Sequence, residues 1–300
     1  MYAVKCFAVN AIPAYFVRVF AAPYVAGDSL EKALATADGL YRNRGICTTM
    51  DVLGEMEKER GPVRKAVDLY LETAATLKDR PYSTISVKPG HFGYYVDPKF
   101  CKDNIEELAI KCQAQGTGLT VDMEDTDLTD FTIRLYQELK PKYPVLGTVL
   151  QSRLFRTEKD VDALDGLNAH IRLCIGIYNV PATLAYTKKR DIKNNWLKLL
   201  RKLFERGHYV CLATHDVEYL GKAREIIAEM KVPKDRYELQ MLLGVPRDRV
   251  QHELVSSGEK VRLYVPFAAN WADAIAYLRR RMIENPFMAG LVLKNIVRRN

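Results

Sequence analysis

The sequence predicts an α/β chain folded as one closed (βα)8 barrel, and three observations lead there. Eight short runs rich in apolar and β-branched residues recur at the spacing of one βα unit. The stretches between them carry apolar residues at three-to-four spacing, as helices covered on one face do. The signatures of an open, doubly wound sheet are missing: no Gly-x-Gly-x-x-Gly follows the first run, and no Gly-x-x-x-x-Gly-Lys-Ser/Thr occurs.

The runs lie at 46–53, 84–87, 117–124, 143–150, 171–177, 209–215, 237–244 and 261–267. Most lack strict polar alternation, as expected of parallel strands covered on both faces. Helical spacing is clear at 63–77, 128–140, 196–206 and 219–230. Asp127 and Asp216 stand where caps or first-turn acids belong, and Gly207 where a helix would end on a C′ glycine. No linker rich in Gly, Pro or Ser divides the chain, and no strong repeat is present. The division read from this is an N-terminal helical extension over 1–43 and a catalytic barrel over 44–300.

Composition narrows the class. The 300 residues are 48% hydrophobic and 27% charged, with a net charge of +8 from 45 Lys and Arg against 37 Asp and Glu. The basic residues are scattered, apart from Lys188-Lys189-Arg190 and Arg279-Arg280-Arg281, so nucleic acid is not an expected partner. Six cysteines form no Cys-x-x-Cys pair and read as buried thiols of a reducing, cytoplasmic compartment. Five histidines make a multi-histidine metal site unexpected. The first 27 residues are apolar and aromatic but interrupted by Lys5, Pro13 and Arg18, too short a run to span a bilayer. They read as a packing helix, or as a surface helix in transient contact with a membrane.

Ligand sites of such barrels form at the C-terminal ends of the strands. Lys88 follows one run, Asp122 and Glu124 end another, and Gln151 and Arg153 follow a third. Arg172 lies inside an apolar run with Tyr178 just beyond it, His215 ends the next, and Tyr264 lies within the last. Taken singly each has a plain reading: a surface lysine, a turn-capping acid, a core histidine. Arg172 is the hardest to dismiss, because a guanidinium in an apolar strand needs an acceptor. Past Asn270 and Asp273, which resemble a helix cap, Tyr277, Arg280, Arg281 and Glu284 fall at i, i+3, i+4 and i+7 and share one helical face. Glu284 can hold Arg280, and two arginines beside an aromatic ring suit a carboxylate. Alone, that face also reads as a solvated basic helix.

These motifs together resemble the proline dehydrogenase family, in its monofunctional bacterial form. The closing segment carries most of the likeness: Arg262-Leu263-Tyr264-Val265-Pro266, then Tyr277 through Asn285 with its paired arginines and Glu284. Tyr24-Val25-Ala26-Gly27, Asp51-Val52-Leu53-Gly54-Glu55, Lys88 and Asp122-Met123-Glu124 match upstream. Leu150-Gln151, Arg172-Leu173, Gly176-Ile177-Tyr178, Ala213-Thr214-His215 and Glu238-Leu239-Gln240-Met241-Leu242 complete the order.

The resemblance implies a distorted barrel holding FAD at its mouth and oxidising L-proline to Δ1-pyrroline-5-carboxylate, with electrons passed to a membrane quinone. It implies that Arg280 and Arg281 bind the substrate carboxylate, and that Lys88, Asp122, Tyr178, Leu242 and Tyr264 line the substrate pocket. Gln151, Arg172 and His215 would contact the flavin. Lys88, Asp122, Tyr264, Arg280, Arg281 and Glu284 form the expected catalytic set. The chain departs from the family pattern at Pro89, Ser152-Arg153, Ile175 and Ala268-Ala269-Asn270. Two alternatives stay open: a flavoenzyme for another cyclic or N-substituted amino acid such as hydroxyproline, and a silent barrel binding lipid or nucleic acid.

Overall fold

The computed structural model describes residues 17, 22–54, 56–178, 180–272, 274–275 and 279. Eight parallel strands close into a barrel in sequence order: β1 (Cys47–Val52), β2 (Ser83–Val87), β3 (Leu119–Val121), β4 (Leu146–Gln151), β5 (His170–Cys174), β6 (Tyr209–Ala213), β7 (Tyr237–Leu242) and β8 (Val261–Phe267). Closure is made by β1 on β8, in register from Cys47 opposite Arg262 to Val52 opposite Phe267. The predicted (βα)8 architecture is the observed one.

Helix α1 (Leu30–Arg44) precedes β1. Then α2 (Arg60–Thr76), α3 (Pro98–Gln115), α4 (Thr129–Leu139), α5 (Thr157–Ala163), α6 (Lys189–Glu205), α7 (Val217–Glu229) and α8 (Asp248–Ser256) follow β1 to β7 in turn. Local chemistry sets several ends. Ser29 and Asp97 accept backbone N–H groups at the starts of α1 and α3, and α3 has Pro98 where its missing N–H costs nothing. Asp216 caps α7 by accepting from the N–H groups of Glu218 and Tyr219. Asp125, rather than Asp127, caps the 3-10 turn Thr126–Leu128 that leads into α4. Gly207 lies just past α6 in the left-handed region that glycine favours.

One apolar core lies between strands and helices, with Tyr70, Tyr136, Phe92 and Trp196 among its fully buried large side chains. Helix α1 lies against β1 and β8 and contributes Ala33 and Ala37 to that same core. Ahead of it, residues 22–28 run beside the end of β8: Ala26 donates to the Pro266 carbonyl and Ala268 to that of Gly27. Gly244 is obligatory at this crossing, since its φ is +80° and a Cβ there would stand 2.1 Å from the Pro23 carbonyl oxygen.

Inside the barrel many of the side chains are polar. Strand periodicity puts Thr84, Ser86 and Lys88 on one face of β2 and its continuation, Glu238 and Gln240 on one face of β7, and Arg262 and Tyr264 on one face of β8. Bonds across the barrel confirm that these faces look inward: Arg172 of β5 reaches Ser86 and Gln240, and Arg262 reaches Thr84. Among the described residues no helix is long and apolar enough to cross a membrane. The apolar segment before residue 22, apart from Val17, and the helix face of Tyr277, Arg280, Arg281 and Glu284 lie outside the described residues.

Candidate active site

At the C-terminal end of the barrel, five side chains from five strands or their extensions meet. Asp51 ends toward the mouth of β1, Lys88 follows β2, Asp122 follows β3, Arg172 is in β5 and Tyr264 in β8. The Lys88 ammonium lies 2.5 Å from Asp51 Oδ1, 3.2 Å from the Tyr264 hydroxyl and 3.8 Å from Asp122 Oδ2. Tyr264 donates to Asp122 Oδ2 at 2.7 Å. Asp122 Oδ1 accepts from Arg172 Nη1 at 2.5 Å and from Ser86 Oγ at 2.7 Å. Arg172 also donates from Nε to Gln240 Oε1 at 2.7 Å, and its guanidinium stands 5.1 Å from the Tyr264 ring centre.

Two cations and two carboxylates are balanced here, which is what makes so much buried charge tolerable. Burial alone would lower Lys88, but Asp51 and then Tyr264 and Asp122 outweigh it and hold the ammonium well above its usual range. Burial, then the negative charges of Asp122 and Asp51, push the Tyr264 hydroxyl well up, so it remains a donor. Burial would likewise lower Arg172, and Asp122 more than offsets it. Lys88 and Arg172 therefore stay cationic at neutral pH, while burial raises the Asp51 carboxyl and the Lys88 ammonium is the chief charge opposing that rise.

A second set of polar groups rims the mouth. Gln151 ends β4; its amide donates to the Glu124 carbonyl at 2.8 Å, while the buried Oε1 has no partner among the described residues. The Glu124 carboxylate in turn accepts the Gly90 N–H at 2.6 Å. Arg153 donates from Nη1 to the Tyr178 carbonyl at 2.5 Å, and its buried Nε has no partner there either. His215 accepts from the Leu242 N–H at Nε2, leaving Nδ1 as the protonated nitrogen; it too is buried and unpartnered. Burial, with the nearby Arg247, lowers its pKa to about 4, so the ring is neutral at pH 7. Beside these groups Ile175, Ile177 and Leu242 leave apolar surface exposed, Ile177 by 57%.

Comparison with known proteins decides the family. The proline dehydrogenase family pattern matches residues 33–180 and 177–292. The chain belongs to the proline dehydrogenase family. It is 30% identical to proline dehydrogenase 2 of Bacillus subtilis (strain 168) over 283 residues, 94% of this chain and 92% of that protein. Proline dehydrogenase 1 of the same strain is 31% identical over 289 residues, 95% and 93% of the two chains. The proline dehydrogenase of Deinococcus radiodurans is 32% identical over 283 residues, 92% and 89%. Among solved structures, proline utilization A from Bdellovibrio bacteriovorus, inactivated by N-propargylglycine, superposes with a TM-score of 0.79 at 22% identity. That match covers 89% of this chain and 32% of the other, so the chain spans about a third of that longer protein. The likeness there is one of fold.

As a proline dehydrogenase family member the chain is an FAD-dependent oxidoreductase. Its mouth fits that group. Gln151 Oε1, Arg153 Nε and His215 Nδ1 supply one acceptor and two donors, buried and uncommitted, next to apolar surface. A flavin ring system offers polar edge atoms for such groups and a flat apolar face. Gly176 adds room: its φ is +85°, and a Cβ there would stand 2.5 Å from Gln151 Oε1.

Of the residues singled out in the sequence, the structure joins Lys88, Asp122, Arg172 and Tyr264 in one network. Gln151, Tyr178, His215 and Leu242 lie apart from it, on the rim. Arg172, expected at the flavin, donates from Nε to Gln240 and from Nη1 to Ser86 and Asp122. Asp51, Ser86 and Gln240 were not singled out as site residues. The signal for the last two was the alternation Thr84-x-Ser86-x-Lys88 and Glu238-x-Gln240.

Beneath the mouth the proline dehydrogenase barrel carries a second polar layer. Arg262 grips Glu238 with two bonds of 2.6 and 3.1 Å and donates to the Thr48 carbonyl at 2.6 Å. Gln240 joins the layers by donating to Glu238 at 2.6 Å while accepting from Arg172. His170, Cys211 and Glu238 place ligand-type atoms within 4.8 Å of one another at this end. Arg262 and Lys260 already take up that carboxylate, and two cations so close oppose a metal ion there.

Proposed function

We propose that the chain oxidises L-proline to Δ1-pyrroline-5-carboxylate in the polar mouth of this barrel and passes the electrons to a quinone. The observation that carries this reading is the balanced cluster of Lys88, Asp122, Arg172 and Tyr264 beside the uncommitted polar atoms of Gln151, Arg153 and His215. A small zwitterion and a flavin need those two kinds of surface side by side.

When bound, FAD accepts the hydride removed from the proline ring. The protein's part is positioning and electrostatics. Arg280 and Arg281 hold the substrate carboxylate, and Glu284 orients Arg280. Lys88 has three ammonium protons; Asp51 and Tyr264 take two, leaving one for a substrate oxygen. Asp122 already accepts from Arg172, Ser86 and Tyr264, so it shapes the field at the substrate amine and is not the group that takes its proton. Tyr264, Tyr178 and Leu242 enclose the ring. Gln151, Arg172 and His215 would hold the flavin, Gln151 offering an acceptor and His215 a donor.

Tyr264 favours unsubstituted proline. Its hydroxyl is tied to both Asp122 and Lys88, so the ring cannot swing aside for an extra hydroxyl. We place the enzyme in the cytoplasm, in transient contact with the inner face of the membrane that holds the quinone. Exposed Phe155 and Leu184, joined through the Phe155 N–H to Leu184 carbonyl bond and followed in sequence by the exposed run Lys188-Lys189-Arg190, support that contact.

Steady-state assays with proline, hydroxyproline and pipecolate, on the parent protein and on Arg280→Ala, test the reading. Proline should be the best substrate, and Arg280→Ala should cost it at least about a hundredfold in kcat/KM, as loss of a charge-assisted clamp does. Equal rates on all three, or an indifferent Arg280→Ala, would overturn it.

A further inference from the structure

The proposed reaction uses Asp51, one of the two carboxylates in the upper cluster, only as an acceptor for one Lys88 proton. It sits in β1, is 1% exposed, and lies 2.5 Å from the Lys88 ammonium. The other nearby carboxylate, Asp122, is 3.8 Å from the same nitrogen and already accepts three shorter bonds. Asp51 is therefore the one carboxylate hydrogen-bonded to Lys88 among the described residues.

The surroundings of the pair are closed. Lys88 is 5% exposed and faces Asp51 from β1, Tyr70 from α2, Asp122 beyond β3 and Tyr264 from β8; Arg172 of β5 stands behind Asp122. Tyr70 braces Asp51: its hydroxyl accepts the Val52 N–H at 3.0 Å and lies 3.4 Å from Asp51 Oδ1. A buried ammonium without a contact carboxylate loses its proton readily or turns away. Without Asp51 the ammonium keeps only the neutral Tyr264 oxygen at 3.2 Å and Asp122 at 3.8 Å, whose charge is already shared with Arg172.

We infer that Asp51 is a positioning residue for substrate binding: it locks the Lys88 ammonium in charge and direction, so that one N–H stays free for the carboxylate of the substrate. The inference rests on the reading that a small amino acid binds in this mouth. It gives β1 a part in the site and makes Asp51 act through Lys88, without touching substrate.

The test uses the flavin-loaded protein and Asp51→Asn, which keeps shape and removes charge. With Asp51→Asn, KM for proline should rise more than about tenfold while kcat changes far less, the effect of losing a charged hydrogen bond that acts in binding. The alkaline limb of kcat/KM should move to lower pH, because Lys88 now deprotonates more easily. Competitive acetylation read by mass spectrometry reports Lys88 directly and needs no substrate: its reactivity at pH 9 should rise more than about tenfold in Asp51→Asn. On a Lys88→Met background, Asp51→Asn should add almost nothing to KM. Unchanged Lys88 reactivity, or an equal loss on the Lys88→Met background, overturns the inference. If Asp51→Asn does not fold, Asp51→Glu serves: charge retained but displaced should raise KM with Lys88 still unreactive, and an unaltered KM there also overturns it. A parent protein that proline does not reduce would defeat the substrate reading instead, and the acetylation result would stand apart from it.

Discussion

Arg172 and Asp122 are joined at 2.5 Å across the barrel, from β5 to the end of β3. This pair locks the floor of the mouth, because Asp122 carries Tyr264 and Arg172 carries Gln240. Removing one member leaves the other charged and buried. Arg172→Met should cost about 3–5 kcal/mol in unfolding free energy, read by urea denaturation of the flavin-loaded protein. It should also lower kcat/KM for proline, since Asp122 then loses its 2.5 Å cation and keeps only Lys88 at 3.8 Å, which changes the charge balance at the mouth.

The rim predicts cofactor retention. Gln151→Ala and His215→Ala each remove one uncommitted polar atom from the mouth. Each should weaken FAD binding by about three- to tenfold, the worth of one neutral hydrogen bond, in titrations followed by flavin fluorescence. The buried His208 accepts the Ala169 N–H just before β5, at the opposite end of the barrel. His208→Asn should leave FAD affinity unchanged.

The lower layer predicts a stability effect of a different form. Burial alone would raise Glu238, yet the Arg262 guanidinium holds its carboxyl well below the usual range. Arg262→Met should destabilise by about 3–5 kcal/mol, whereas the double variant Arg262→Met/Glu238→Met should recover much of that loss. Melting curves of the two variants beside the parent protein check the difference.

Histidines lowered by burial, His170, His208 and His215, set an acid dependence. Burial lowers His170 to about 4, as it does His215. Unfolded, each takes up its proton near pH 6.5. Between about pH 6.5 and 4 the unfolded chain binds more protons than the folded one, so stability falls as pH falls through that window. His170→Gln should flatten the decline measured by urea midpoints at pH 7, 6 and 5.

The strand pattern was legible because buried parallel strands are apolar runs, and each of the eight runs holds a strand. One overshoot has a functional reason. The run 171–177 stops as a strand at Cys174; Gly176 turns the chain at φ +85°, and Ile175 and Ile177 are exposed at the mouth. Apolar residues there face the ligand side, which periodicity cannot tell from core. The polar interior was harder to see. Thr84, Ser86 and Lys88 alternate with buried Ile85 and Val87, a period of two that marks an inner face. Asp51 gave no sign of its role, since nothing near it in sequence reveals that Lys88 will stand opposite. The closeness of Arg172 to Asp122 is likewise a product of barrel closure, which brings residues fifty positions apart into contact.

The central claim is that this mouth binds FAD and removes hydride from proline. An absorbance spectrum of the purified, FAD-loaded protein under anaerobic conditions, before and after addition of L-proline, tests it most directly. The expected result is a flavin band near the visible blue that bleaches on adding proline and returns when a quinone is supplied. A protein that takes up no flavin, or whose flavin band is indifferent to proline, would contradict it.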